Sequence, residues 1–411
     1  MNVPLRGTRA ARVFLCFALG YLLSYALRAI NAVIAPSLTG ELGLSNADLG
    51  LLSSAYLVSF GCMQLPLGIW LDRYGARRTE AALLLVAALG AAVFAVSDSL
   101  AGLWIGRALI GIGVSSCLMA AFKAYRQWYP PQQLSRLASW MLVAGTAGAL
   151  TATLPVAMVL PLIGWRGVFW LVAALALAAS AMLFFLLRDV ERSFDAPAPI
   201  SVHDGGYGRI FGSTYFWRMG ILSLVNYGTF VALHTLWAGP WMMTVLGKSQ
   251  TQTAGILFVF NVVLMLAYLV LGSIAPRIAK RAWSTHHLIG IGLASSLIAQ
   301  AAILFASGEH GWLWWLLLVP GISTITLAQS NVALAFPAAL AGRANAALNL
   351  QLFIGAFATQ WGFGVLADYF TAVGLVPADA FRATLAIALA LQAAAFLYFL
   401  CSRAQPDRHH H

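Results

Sequence analysis

Charge is scarce in this chain. Only 9% of its 411 residues are Asp, Glu, Lys or Arg, while 61% are hydrophobic. A soluble chain of this length coats itself with far more charge, so that class is excluded. The apolar residues come in unbroken runs of about 20, the length that matches bilayer hydrocarbon. Cysteine is scarce as well. Cys16, Cys62, Cys117 and Cys401 all fall inside apolar runs, which excludes a disulfide framework and a cysteine metal motif. Acids number 13 against 24 bases. The bases sit in short segments between apolar runs, as in cytoplasmic loops, and not in the stripes that bind nucleic acid. Asp48, Glu80, Asp98 and Asp368 fall near the ends of the runs, so no acid is expected deep within one. There is no HExxH, no nucleophile motif and no cofactor fingerprint. Catalysis, a cofactor and a resident metal are therefore not expected.

What is present reads as twelve membrane spans, at 13–35, 47–71, 78–97, 101–127, 136–161, 166–187, 214–245, 252–275, 286–306, 312–335, 344–367 and 380–401. The first run follows Arg6, Arg9 and Arg12, is too long for a signal-peptide core, and is expected to stay as a helix. Residues 188–213 are rich in charge, proline and glycine and read as a cytoplasmic linker between a half at 1–187 and a half at 214–403. Residues 404–411 read as a tail, with His409 to His411 the remnant of an affinity tag. Nineteen of the 24 basic residues fall on one side of these spans. Arg166, Lys248 and Arg382 lie on the other side, and Arg28 and Arg107 within spans. That bias places both termini in the cytoplasm, in a multi-pass protein expected in a bacterial inner membrane.

An internal repeat supports two related halves. Gly68-Ile-Trp-Leu-Asp72-Arg73-Tyr-Gly75-Ala-Arg77-Arg78 follows span 2, and Gly272-Ser-Ile-Ala-Pro276-Arg277-Ile-Ala279-Lys280-Arg281 follows span 8. Gly and two Arg recur at the same offsets, as in transporters built from repeats.

Arginine in mid-membrane costs about 2.5–3.5 kcal/mol on an insertion scale and needs a cavity or a partner. In YLLSYALRAINAVIA, Tyr21, Ser24, Tyr25, Arg28 and Asn31 are spaced by three or four and share a helical face. That stripe is expected to line a central cavity. Arg107 in span 4 is a second candidate, and Tyr56 and Gln64 in span 2 add polar groups. Guanidinium groups without acids invite an anionic ligand, because they match carboxylate or phosphate as a fork. The second half offers Asn226, Phe230, His234, Trp237 and Trp241 on span 7, Asn261 on span 8, and Gln329 and Ser330 on span 10. Span 11 adds Asn345, Asn349, Phe353 and Gln360. Trp241 is also placed to serve as an interfacial belt residue. His234 can be a cavity wall, a proton carrier or, with Met265, a soft-metal ligand.

The segment Gly68 to Arg78 resembles the GxxxDRxGRR loop of the major facilitator superfamily, with Ala76 where Arg is usual. Arg107-Ala-Leu-Ile-Gly111-Ile-Gly113 resembles its RxxxGxG signature, and Gly164-Trp165-Arg166 is also typical. The resemblance implies an all-α membrane protein of twelve helices in two pseudo-symmetric halves. It implies that Gly68, Asp72, Arg73, Gly75, Arg77 and Arg78 latch a gate, with Gly68 allowing close packing and Asp72 near helix N-termini of the other half. Tyr25, Arg28 and Arg107 are similar to the positive site of the anion:cation symporter group, which carries organic acids. Leu27 and Val114 stand where that group has its acids, so coupling through those acids is not expected. The implied function is transport of a small organic anion by a monomer in a lipid bilayer, with a proton as candidate coupling ion. Its binding residues would be Tyr25, Arg28, Asn31, Tyr56, Arg107, Asn226, His234, Trp237, Gln329 and Asn349. A drug exporter, a copper importer of the same superfamily and a non-transporting receptor are the alternatives.

Overall fold

The structure, a computed structural model, describes residue 5 and residues 7–130, 133–194, 206–279 and 285–402. Among these residues every regular element is helical, and nine helices are long and apolar enough to cross a membrane. The chain divides into two compact units. One is Met1–Gly43 with Ala55–Val202, and the other is Leu44–Ser54 with His203–His411.

The first unit opens with α1 (Gly7–Ala29) and α2 (Asn31–Leu42), which together carry the first expected span and run past it to Leu42. The next helix, α3 (Asn46–Val96), has 51 residues, about 77 Å at 1.5 Å per residue, far more than one bilayer core of about 30 Å. It is broken at Gly75, whose φ of 80° suits glycine, so the second and third expected spans are its two limbs. Ser99 caps α4 (Leu100–Val114) by accepting from the Gly102 amide at 3.2 Å. The helix α5 (Cys117–Trp128) follows, then α6 (Leu134–Thr151), α7 (Leu154–Leu186) and the short α8 (Arg188–Phe194). The fifth expected span, 136–161, is not one helix. α6 stops at Thr151, because Pro155 in the first turn of α7 has no amide to continue the ladder.

In the second unit, α9 (Gly206–Phe211) and α10 (Thr214–Leu222) lead into two π-helical turns, Ser223–Tyr227 and Leu233–Trp237, separated by α11 (Gly228–Ala232) and followed by α12 (Ala238–Thr244). Then come α13 (Gln250–Ala279), α14 (Thr285–Phe305) and α15 (Leu313–Ser323). The chain ends in α16 (Leu327–Ala335), α17 (Ala338–Ala372) and α18 (Pro377–Cys401). Residues 188–213 are thus not all loop, since α8 and α9 occupy their ends, while 195–205 lie outside the described residues. So do Lys280 and Arg281 of the repeated motif, the side chains of 272–279, that of Ser330, and the tail from 403 onward.

With no water to drive helices together, membrane helices associate where small residues let backbones approach. α1 lies on α6 in this way, since a Cβ on Gly148 would run into the Leu22 carbonyl. In the second unit, a Cβ on Gly355 of α17 would run into the Leu224 carbonyl. The start of α3 belongs to the second unit, where Asp368 of α17 supplies its cap. Its carboxylate accepts from the Ala47 amide at 2.7 Å and the Asn46 amide at 3.2 Å, where the helix dipole favours an anion.

Candidate functional site

Arg28 stands in the last turn of α1, one residue before the helix gives way to α2. Its guanidinium carbon lies 4.9 Å from the Tyr25 ring, 5.0 Å from Phe60 and 5.8 Å from Tyr56, and the residue is half-buried. Arg28 also hydrogen-bonds the Tyr56 hydroxyl, which in turn donates to the Ser24 carbonyl at 3.1 Å. The faces of these rings hold the cation while its donors stay directional. Gly145 of α6 leaves the room, because a Cβ there would come within 2.6 Å of the Tyr21 ring and 3.1 Å of Tyr25. Asn31, at the start of α2, is buried beside this cluster in sequence.

Arg107 of α4 is different. It is wholly buried between Phe94, at 5.0 Å, and Phe169, at 5.2 Å, and donates to the Leu27 carbonyl at 3.0 Å. Its Nε and Nη2 have no partner among the described residues. Arg107, expected as a substrate contact, has no exposure in this structure and braces the α1 backbone one residue before Arg28. Ser24 adds a second tie between α1 and α4, donating to the Val114 carbonyl at 3.5 Å.

In the second unit, His234 lies on the second π-helical turn, a feature enriched at functional sites. Its ring is stacked between Phe230, at 5.6 Å, and Phe260, at 5.1 Å, and its Nε2 is 3.1 Å from Asn261 Oδ1. Gln329 donates to Asn349 Oδ1 at 3.2 Å and is exposed. Two further expected ligand contacts are buried in this structure. Trp237 is fully buried against Phe363 and Phe381 and donates to the Gln360 carbonyl at 2.9 Å. Asn226 is fully buried and donates to the Gln392 carbonyl at 3.5 Å. Both lie on the polar stripe of span 7, which runs through the two π-helical turns. Trp241 is no belt residue either, being buried against Trp315.

The loop motif has local partners. Arg77 is buried and donates to Glu191 of α8 at 2.6 Å and to the Phe184 carbonyl at 2.5 Å, with Arg78 at 3.6 Å from the same carboxylate. Asp72 pairs with Lys123 of α5 at 2.5 Å, within its own unit, and Arg73 lies over the Tyr74 ring. Gly68 meets nothing within 4 Å of an added Cβ, so the expected tight packing there is absent. The close approach is at Gly75, where a Cβ would stand 2.9 Å from Glu191. Elsewhere in this unit Arg166 pairs with both Glu41 and Asp98 and lies over the Trp165 ring, whose indole donates to Glu41 at 2.6 Å. These contacts hold the Glu41 carboxyl below the ordinary carboxylate range, the Trp165 hydrogen bond contributing most and Arg166 next. Glu191 and Glu41 were missed in the sequence, since a lone acid in a linker or loop carries no pattern.

Glu80, expected near a span end, lies close to the Gly75 break and is fully buried in α3.

The family model described as Major Facilitator Superfamily matches residues 17–360. The hexuronate transporter of Escherichia coli strain K12 is 26% identical over 254 residues, covering 57% of this chain and 58% of that protein. The match therefore spans less than two thirds of that relative. The 4-hydroxybenzoate transporter of Pseudomonas aeruginosa is 27% identical over 316 residues, 68% of each chain. A solved bacterial homologue of the human lysosomal transporter Spinster superposes with a TM-score of 0.79 at 18% identity, over 97% of this chain and 98% of that one. A D-xylose-proton symporter does so at 0.78 and 17%, over 98% and 99%. At these identities the structures share the fold.

Proposed function

This chain belongs to the Major Facilitator Superfamily, and we propose that it carries a small organic anion across the membrane by alternating access, without catalysis. The observation that supports this reading is the setting of Arg28. A guanidinium in a membrane-crossing helix, half-buried and wrapped by three aromatic faces, is a prepared seat for a carboxylate. Arg107 positions it through Leu27, and Tyr25 and Tyr56 frame it. The relatives named for hexuronate, galacturonate and 4-hydroxybenzoate carry acids of this size, which supports a single carboxylate as the common element. Gln329 and Asn349, being neutral, suit hydroxyl groups. The Gly68 to Arg78 segment acts as a conformational latch through Arg77 and Glu191. Both termini lie in the cytoplasm, a reading supported by the one-sided distribution of its basic residues.

The test is uptake of labelled galacturonate and 4-hydroxybenzoate into proteoliposomes. Arg28→Gln is expected to lower uptake by about thirtyfold or more, the scale for losing one side of a buried charge pair. Parent-like uptake by Arg28→Gln overturns the anion seat. A thermal-shift screen of the parent against organic acids identifies the preferred ligand, since ligands that bind only the folded form raise its stability.

A further inference from the structure

Glu80 is the one acidic side chain among the described residues with no exposure at all. It lies on α3 a turn and a half after the Gly75 break. Neither carboxyl oxygen has a hydrogen-bond partner apart from the Cys117 thiol of α5, which is a weak donor. The groups around it are few. Cys16 of α1 and Cys117 and Tyr125 of α5 are its titratable neighbours, with Arg12 acting on Cys16, and Ser180 of α7 binds the adjacent Ala81 carbonyl. Two basic side chains at this end of the unit are committed elsewhere. Arg77 holds Glu191 and the Phe184 carbonyl, and Lys123 holds Asp72 and the Leu71 carbonyl. Gly20 closes the pocket. α1 approaches so closely that a Cβ on Gly20 would overlap Glu80 Oε1.

A carboxylate stripped of water, without a cation or a strong donor, is the form of this side chain that such surroundings disfavour. Gly20 and Arg28 share α1, so the helix that carries the cation of the proposed anion seat also covers Glu80.

We propose that Glu80 is the proton-binding site of this protein, and that its carboxyl couples proton movement to the anion. The carboxylate takes a proton from water on one side of the membrane and returns it to water on the other, so one proton crosses with each loaded cycle. This rests on the transport reading above. It also places coupling on a residue that the sequence pattern passed over.

The purified full chain is tested twice. In proteoliposomes, Glu80→Gln is expected to exchange labelled galacturonate across the membrane at the parent rate, yet to lose accumulation driven by a pH gradient. Retained accumulation in Glu80→Gln, or a parent indifferent to the gradient, overturns the proposal. In detergent, infrared difference spectra across a pH step are expected to show a protonated-acid carbonyl band that Glu80→Gln removes. The same spectrum in both proteins overturns the proposal whether or not galacturonate is carried. If the parent exchanges no organic acid, the anion reading has failed, and the infrared result still decides on Glu80.

Discussion

The two units share a helix contact and furnish it in opposite ways. Gly148 faces the Leu22 carbonyl in the first unit, and Gly355 faces the Leu224 carbonyl in the second. Counting forward from those leucines by equal steps, Tyr25 corresponds to Tyr227 and Arg28 to Phe230. The repeated Gly and Arg of the loop motif pair Tyr56 with Phe260 in the same manner. In the first unit these positions form a cation wrapped by rings. In the second they form a stack of rings, with Phe230 5.8 Å from Tyr227 and 6.3 Å from Phe260. The scaffold is common because close backbone approach needs glycine in both halves. The chemistry differs because a membrane interior tolerates a cation only where rings and carbonyls surround it. One half is equipped to hold charge, and the other to present apolar and neutral polar surface.

Replacing Arg28 by Phe gives the first unit the ring that the second already has. It is expected to abolish uptake of organic anions while leaving membrane insertion intact, and uptake assays with surface-expression controls decide this. An Arg28→Phe protein that still carries galacturonate would break the comparison at its root. Next in size is the shared contact. Gly148→Ala and Gly355→Ala are each expected to cost about 1–3 kcal/mol as overpacked positions, read as lower melting temperatures in detergent. A large loss in one and none in the other would show that the two halves do not rest on the same joint. Phe230→Leu removes a ring from the second unit without touching charge, so it is expected to raise KM several-fold with little change in maximal rate.

The smallest effect lies at Glu41. Its carboxyl is held below the ordinary value of 4.5 by Trp165 and then Arg166. A depressed folded value means that the stabilisation is fully present above the unfolded value and is lost as pH falls through the folded one. The melting temperature is expected to fall slightly below pH 4.5, and Glu41→Gln to flatten that slope. The effect is small because the group is largely exposed and screened.

Much of this was legible in the chain. The apolar runs, the Gly68 to Arg78 segment and the stripe through Tyr25 and Arg28 are local patterns, and the structure places Arg28 among the rings of Tyr25 and Tyr56. What was not legible is burial. Trp237, Asn226 and Arg107 were placed by counting turns of a regular helix or by motif, and packed neighbours from other helices enclose all three. Phe60 was passed over because an apolar residue in an apolar run carries no signal.

Sequence alone settled that the chain lives in a membrane and where its scarce charges stand, because the bilayer punishes polarity strongly enough to write itself into composition. Which of those charges are sealed and which are reachable was a matter of tertiary structure. Glu80 and Arg107 are buried by helices distant in the chain, and only the close approach of α1 at Gly20 and of Phe94 and Phe169 removes them from water.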